Sequence, residues 1–204
     1  MALTDGQICS IALQRIGQRQ VVDDLNENTS AARACKVYYA GAREALLASF
    51  PWPWATRRSV LAATAATAPT GWGYAYVMPA DCAVARYVYP GTRNPSPDQR
   101  VPFARELGDD ALGNPTVRLL LTDLSPATLV YTALVTNSTL FPPLFADALA
   151  WRMASDLCLA IPVEPQVGLQ MQAGYAQAMR AAAGSQLRQQ QLDVKPESSF
   201  VRGR

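Results

Sequence analysis

Glu106, Asp109 and Asp110 stand together in the stretch ELGDDALGNP, a compact acidic cluster. Two carboxylates facing across a groove are the equipment of a glycoside hydrolase, one as general acid, the other as base or nucleophile. That chemistry needs one carboxyl in an apolar setting that raises its pKa. The neighbours here are Gly, Asp and Asn, which favour Asx turns, so the stretch reads as a solvated loop. Nucleophilic chemistry has less to work with. The chain contains no histidine, which excludes Ser-His-Asp and Cys-His mechanisms. Its cysteines, Cys9, Cys35, Cys82 and Cys158, form no C-x-x-C pair. Zinc sites of the usual kinds need close-spaced Cys or His, so no metal, no cofactor and no catalytic residue is expected. Cys9, Cys35 and Cys158 fall in helical patterns and read as small buried hydrophobes.

The remaining residues with a chemical signature are aromatic and basic. The stretch SFPWPWATRRSVLA (49–62) places Trp52, Trp54, Arg57 and Arg58 on a proline-broken corner. Large aromatics can plug the place where two modules meet, or dock a neighbouring subunit. The core takes at least one of the tryptophans. Two residues apart on an extended segment, they point the same way. Arginine pairs with carboxylates through a planar fork, so Arg57 and Arg58 are the better candidates for a subunit interface. Solvation of exposed arginines is the competing explanation.

Composition sets the frame. Charged residues make up 17%, below the usual quarter or so. A surface short of charge fits partial coverage by partners; an Ala-rich chain from a GC-rich genome explains it equally well, and Arg outnumbers Lys 16 to 2. The net charge of +2 carries no field for sequence-specific nucleic-acid or membrane binding. The start, MALTDGQICS, has neither the basic nor the apolar region of a signal peptide, and no apolar run is long enough to span a membrane. A cytosolic site of synthesis is the expectation.

These residues need elements to hold them. Thr4 and Gln7 form a capping box for a first helix, Thr4 to about Ile16, ended by Gly17. Thr29 or Ser30 caps a second, whose apolar stripe is Ala31, Cys35, Tyr38, Ala42, Ala45 and Ser49. Phe50-Pro51 ends it. From Arg57 to about Val135 the period falls to 2. Trp72, Tyr74, Tyr76 and Met78 share one strand face, read as the buried side of a sheet; a stacking platform for sugars or bases is the alternative. Further strands fall at 84–89, 100–105, 116–122 and 128–134, and 63–70 reads as an exposed linker. The helical period returns at Pro142-Pro143, with Leu144 or Phe145, Leu149, Met153 and Leu157 inside and Pro162 as its stop. A last helix runs from about Pro165 to Gln190. Its Gly168, Gly174 and Gly184 each cost about 1 kcal/mol against Ala, which suggests close approach of another helix.

The fold class expected is therefore α+β: residues 1–56 and 138–191 make a helical bundle, with a mostly antiparallel sheet inserted at 57–137. Residues 192–204 have no period, and such a tail orders only on binding.

Four blocks in series are similar to one family. The helix carries Ala34, Tyr38, Arg43 (displaced by one position) and Leu46 or Leu47. The corner carries Pro51, Trp52, Trp54, Ala55, Arg57 and Arg58. A strand end carries Tyr76, Met78, Pro79, Asp81 and Cys82, and a helix start Phe141, Pro143, Leu144, Phe145, Ala148, Leu149 and Ala150. Over roughly residues 3 to 190 the chain resembles the tail tubular protein A, or head-to-tail adaptor, family of short-tailed phages. The resemblance implies a non-enzymatic virion protein: a ring, usually of about twelve copies, between the portal and the nozzle or tail tube, with double-stranded DNA passing through its channel. It implies a place at the head–tail interface of the virion, after assembly in host cytoplasm. It also implies portal docking by the tail, where Leu192, Val194, Phe200, Val201, Arg202 and Arg204 are the candidate contacts. Acidic loops in such a channel would repel the duplex and let it slide. The alternatives are a cell-wall glycoside hydrolase of the virion and a neck or tail-tube protein of a long-tailed phage.

Overall fold

The structure, a computed structural model of the chain, describes residues 2–64, 68–92, 99–109 and 115–189. Asp110 and the whole tail at 192–204, with its candidate portal contacts, lie outside the described residues.

Helix α1 (Asp5–Arg15) has the expected cap. Thr4 accepts from the Gln7 backbone N–H, and the Gln7 side chain accepts from the Thr4 N–H. Gly17 takes a φ of 81°, a conformation that costs glycine little. Helix α2 (Ser30–Ser49) is capped by Thr29 and stops at Phe50, whose backbone is extended ahead of Pro51. The buried stripe of α2 differs from the one expected. It runs Ala31, Cys35, Tyr39, Ala42, Leu46 and Leu47, while Ala45 and Ser49 are exposed and Tyr38 is half-buried. The small-residue stripe repeats every 3.5 residues or so, as a supercoiled helix requires; at about 3.6 per turn the buried face drifts onto the larger side chains.

Strands β1 (Thr56–Val60), β4 (Cys82–Val88) and β7 (Thr128–Ala133) form one sheet in the order β1-β7-β4. Strands β2 (Ala62–Ala63), β3 (Tyr74–Val77), β5 (Phe103–Asp109) and β6 (Pro115–Thr122) form a second, ordered β2-β3-β6-β5. All pairs are antiparallel. The insertion is thus two sheets rather than one. Their facing sides share a core of Leu61, Tyr76, Met78, Leu120, Leu129 and Tyr131. The aromatic alternation divides: Tyr76 and Met78 enter this core, Tyr74 is exposed, and Trp72 packs with Leu119 and Leu121 on the other face of the second sheet. Trp72 precedes β3, so strand alternation does not govern its direction. Ala63 belongs to β2, inside the stretch read as a linker. Glu106–Asp109 is strand as well, paired with β6, and not part of a loop.

Helix α3 (Pro143–Leu157) buries Phe145, Leu149, Met153 and Leu157, with Leu144 exposed. It ends at Cys158, before Pro162, and the chain passes through turn bonds from Ala160 and Ile161 to Leu157. Helix α4 (Pro165–Gln189) packs along α3. All four helices share one core with Trp52, Phe141 and Phe145. The fold is α+β, about 45% helix and 23% strand. Cys9 and Cys35 meet in the helical core through a thiol–thiol hydrogen bond that, with burial, pushes the Cys9 thiol up.

The α4 glycines separate into two kinds. A Cβ on Gly174 would lie 2.5 Å from the Trp151 ring, which also carries the Arg15 guanidinium 4.1 Å from its centre. Gly184 has open space, and Gly168 meets only Cys158 at 3.9 Å. Gly174→Ala is therefore expected to lose about 1 kcal/mol net, overpacking outweighing helix propensity, while Gly184→Ala gains up to about 1 kcal/mol. Urea unfolding of both variants checks this; equal gains would mean that Gly174 does not seat Trp151.

Candidate functional site

The corner after α2 is held from both sides. Trp52 is fully buried, and its Nε1 donates to the Leu46 carbonyl at 2.8 Å, one of the unpaired carbonyls of the helix end. Pro53–Ala55 makes a short 3-10 turn that brings Trp54 back beside Trp52. Both indoles meet Phe145 edge-on, at centroid distances of 5.1 and 4.9 Å. Phe50 lies 5.0 Å from Trp52, and Phe141 5.0 Å from Phe145. As a subunit-interface candidate Trp52 is corrected: its side chain is spent inside its own chain. Trp54 is half-buried, and Arg57 and Arg58 are exposed.

Arg57 and Arg58 have local partners. Arg57 forms an ion pair with Asp81 at 2.7 Å, and Tyr131 donates to the other oxygen of Asp81 at 3.0 Å. Arg58 lies over the Tyr89 ring, 5.2 Å from its centre. Arg118 closes the turn carrying Asp81 by donating to the carbonyls of Pro79, Ala80 and Cys82 at 3.0, 2.9 and 2.8 Å. Burial, and then Asp81, push the Tyr131 hydroxyl up to about 12. The folded value lies above the unfolded one, so the stability from this group is full below about pH 10 and is lost as the pH rises through the folded value. Alkaline titration of tyrosinate absorbance should show one late-ionising tyrosine lost in Tyr131→Phe. Ionisation of Tyr131 along with the exposed tyrosines would break the assignment to Asp81.

Arg86 joins the first sheet to the bundle, and no sequence motif marks it. Ala85 pairs with Tyr131 and Tyr87 with Val130, so Arg86 is the extra residue of a bulge. A bulge re-aims its side chain. The Arg86 Nε donates to Thr132 Oγ1 at 2.8 Å, and its Nη2 donates to the Phe50 carbonyl at 2.7 Å, with those of Leu47 and Ala48 at 3.4 Å. α2 has no basic residue in its own last turn, and Arg86 supplies the charge that this helix end favours.

Of the acidic candidates, the described residues include Glu106 and Asp109, which lie along one strand. Glu106 and Asp109 are both exposed on β5, and Glu106 lines a shallow hollow of about 300 Å³ beside Arg105, Leu107 and Arg118. A wider hollow of about 660 Å³ lies between the start of α1 and α2 and carries Asp5, Asp23, Asp24, Lys36 and Arg43. Its Asp5 already accepts from Tyr39 at 2.7 Å. Among the described residues no group of Cys, Asp or Glu could hold a metal ion.

The four sequence blocks thus meet at one junction: Leu46 receives Trp52, Trp52 and Trp54 pack on Phe145, and Arg57 pairs with Asp81. No family model matches the chain, and no curated protein is significantly similar to it.

Proposed function

We propose that the chain is a non-enzymatic head-to-tail adaptor of a phage virion, one copy of a ring between the portal and the nozzle or tail tube, with double-stranded DNA passing through without sequence-specific contacts. The observation that carries this reading is the convergence of the four blocks on one junction. A part that transmits a fixed geometry around a ring needs its two modules held at a set angle, and this junction is built for that. Chemistry is assembly: a repeated heterologous contact closes into a ring. The tail at 192–204, with Phe200 as an apolar anchor, is assigned to the portal; its ordering cost falls at docking.

The test is the native mass of the full chain, alone and mixed with its cognate portal ring. A discrete complex carrying many copies per portal is the expected result, and its stoichiometry gives the ring number. Deleting 192–204 should weaken portal binding and leave the melting temperature unchanged. A chain that ignores the portal overturns the adaptor reading; undiminished affinity after truncation overturns the role of the tail.

A further inference from the structure

Each sheet has two edge strands, β1 and β4 in the first and β2 and β5 in the second. β2 is only two residues long and β4 is bridged at Val88 to Val101, which leaves β1 and β5 as the longer open edges among the described residues. Open edges present rows of backbone donors and acceptors and invite another strand. Each edge also carries an apolar side chain in water. Val60 on β1 is 70% exposed and Leu107 on β5 is 68% exposed, well above Tyr74 and Val77, the other exposed large apolar side chains of the strands. Leu107 lies on the face that β5 turns to the inter-sheet core, where its register partner is Arg118.

Hydrogen-bond parity says which residues of each edge face outward. The Leu61 N–H donates to Ala127, toward β7, so the polar groups of the preceding residue, Val60, point away from the sheet, as do those of Arg58. The Arg118 carbonyl accepts from Met78, toward β3, so Leu119 bonds toward β5 and its partner Glu106 toward β6. Leu107, next along, therefore points its N–H and carbonyl outward.

We infer that β1 of one copy pairs antiparallel with β5 of the next copy, with Val60 opposite Leu107. The inference rests on the adaptor reading for its ring, and names the surface that builds it. In this register Arg58 falls opposite Asp109, two residues along on the same face, so an apolar pair and an ion pair lie side by side. The parallel arrangement with the same apolar pair sets Arg58 against Arg105, a like-charge contact. A slip by one residue turns the bonding groups away. The contact joins two different surfaces, so it propagates around a ring rather than stopping at a dimer.

The test uses the full chain with its portal. Val60→Cys and Leu107→Cys variants, mixed and air-oxidised on the portal, should cross-link to each other. The roughly 5.5 Å between Cα atoms of a bonded pair suits that disulfide, and neither variant should cross-link alone, because each then carries a cysteine on only one side of the contact. Arg58→Glu or Asp109→Arg should weaken each contact about tenfold, and the two together in one chain should restore it. Normal rings from both single variants, with no cross-link, overturn the edge pairing and leave the adaptor reading standing. Cross-linked copies that ignore the portal uphold the pairing and overturn the adaptor. A chain monomeric in every condition overturns both.

Discussion

Trp52→Ala is expected to lower the stability of the folded chain by about 3–5 kcal/mol, the usual cost of emptying a large aromatic site in a core. The indole is wholly buried, touches Phe50 and Phe145 edge-on, and caps the α2 carbonyl of Leu46. Removing it leaves a cavity and an unpaired carbonyl at the same place. A domain of this size has about 5–15 kcal/mol to lose, so the variant should sit close to unfolding at physiological temperature. Trp54 offers the control. It packs on the same Phe145, but its buried Nε1 has no acceptor among the described residues. Trp54→Phe removes an unsatisfied donor while losing some packing, and should change stability by less than about 1 kcal/mol. Trp52→Phe forfeits the bond to Leu46 and should cost more than Trp54→Phe. Urea midpoints at constant slope read all three. Similar small losses for Trp52→Ala and Trp54→Phe would mean that the corner does not hold the bundle to the sheets.

That corner was half legible in the sequence. The proline after Phe50, the pair of tryptophans and the change of period announced a junction, because each of these signals is local. Which tryptophan would be buried was not legible: the short turn at Pro53–Ala55 breaks the extended geometry on which a two-residue spacing depends. Caps behave similarly. Thr4 with Gln7, and Thr29 before α2, could be read because a cap is satisfied within a few residues. The stripe of α2 could be read only approximately, since Tyr38 and Tyr39 differ by one position and the drift of the helix decides between them.

Long-range pairing was the part that stayed hidden. Period 2 showed that strands exist between Arg57 and Val135, yet gave no hint that β1 and β2, almost continuous in the chain, would serve different sheets. Turn-forming residues suggested that ELGDDALGNP is a loop, but Glu106–Asp109 pairs with β6, because cross-strand packing under Gly108 outweighs turn propensity. With that pairing Glu106 and Asp109 become positions along an edge strand. Asp109 then acquires a meaning, as a partner for Arg58, that no local pattern contains.

Arg86 is the residue where this limit matters most, and its replacement carries the second large effect. Period-2 reading of β4 assigns Arg86 a face by counting, and the bulge shifts the count. Arg86→Met keeps most of the stem but removes the donors to Thr132 and to the last turn of α2. The expected cost is about 2–4 kcal/mol, from carbonyls and a hydroxyl left short of partners at a half-buried site. Arg86→Lys should recover little, since one ammonium cannot reach Thr132 and Phe50 together as the planar fork does. The loss should appear first as faster amide exchange in the last turn of α2 and along β7, ahead of global unfolding. It should also reach assembly. In the proposed adaptor role a ring closes only if each copy holds its two modules at the same angle, so loosened copies should then give open or mixed oligomers on the portal at temperatures where the variant remains folded. Arg86→Met with unchanged exchange in α2 and homogeneous rings would show that the aromatic corner alone fixes the angle, and that Arg86 only shields the end of a helix.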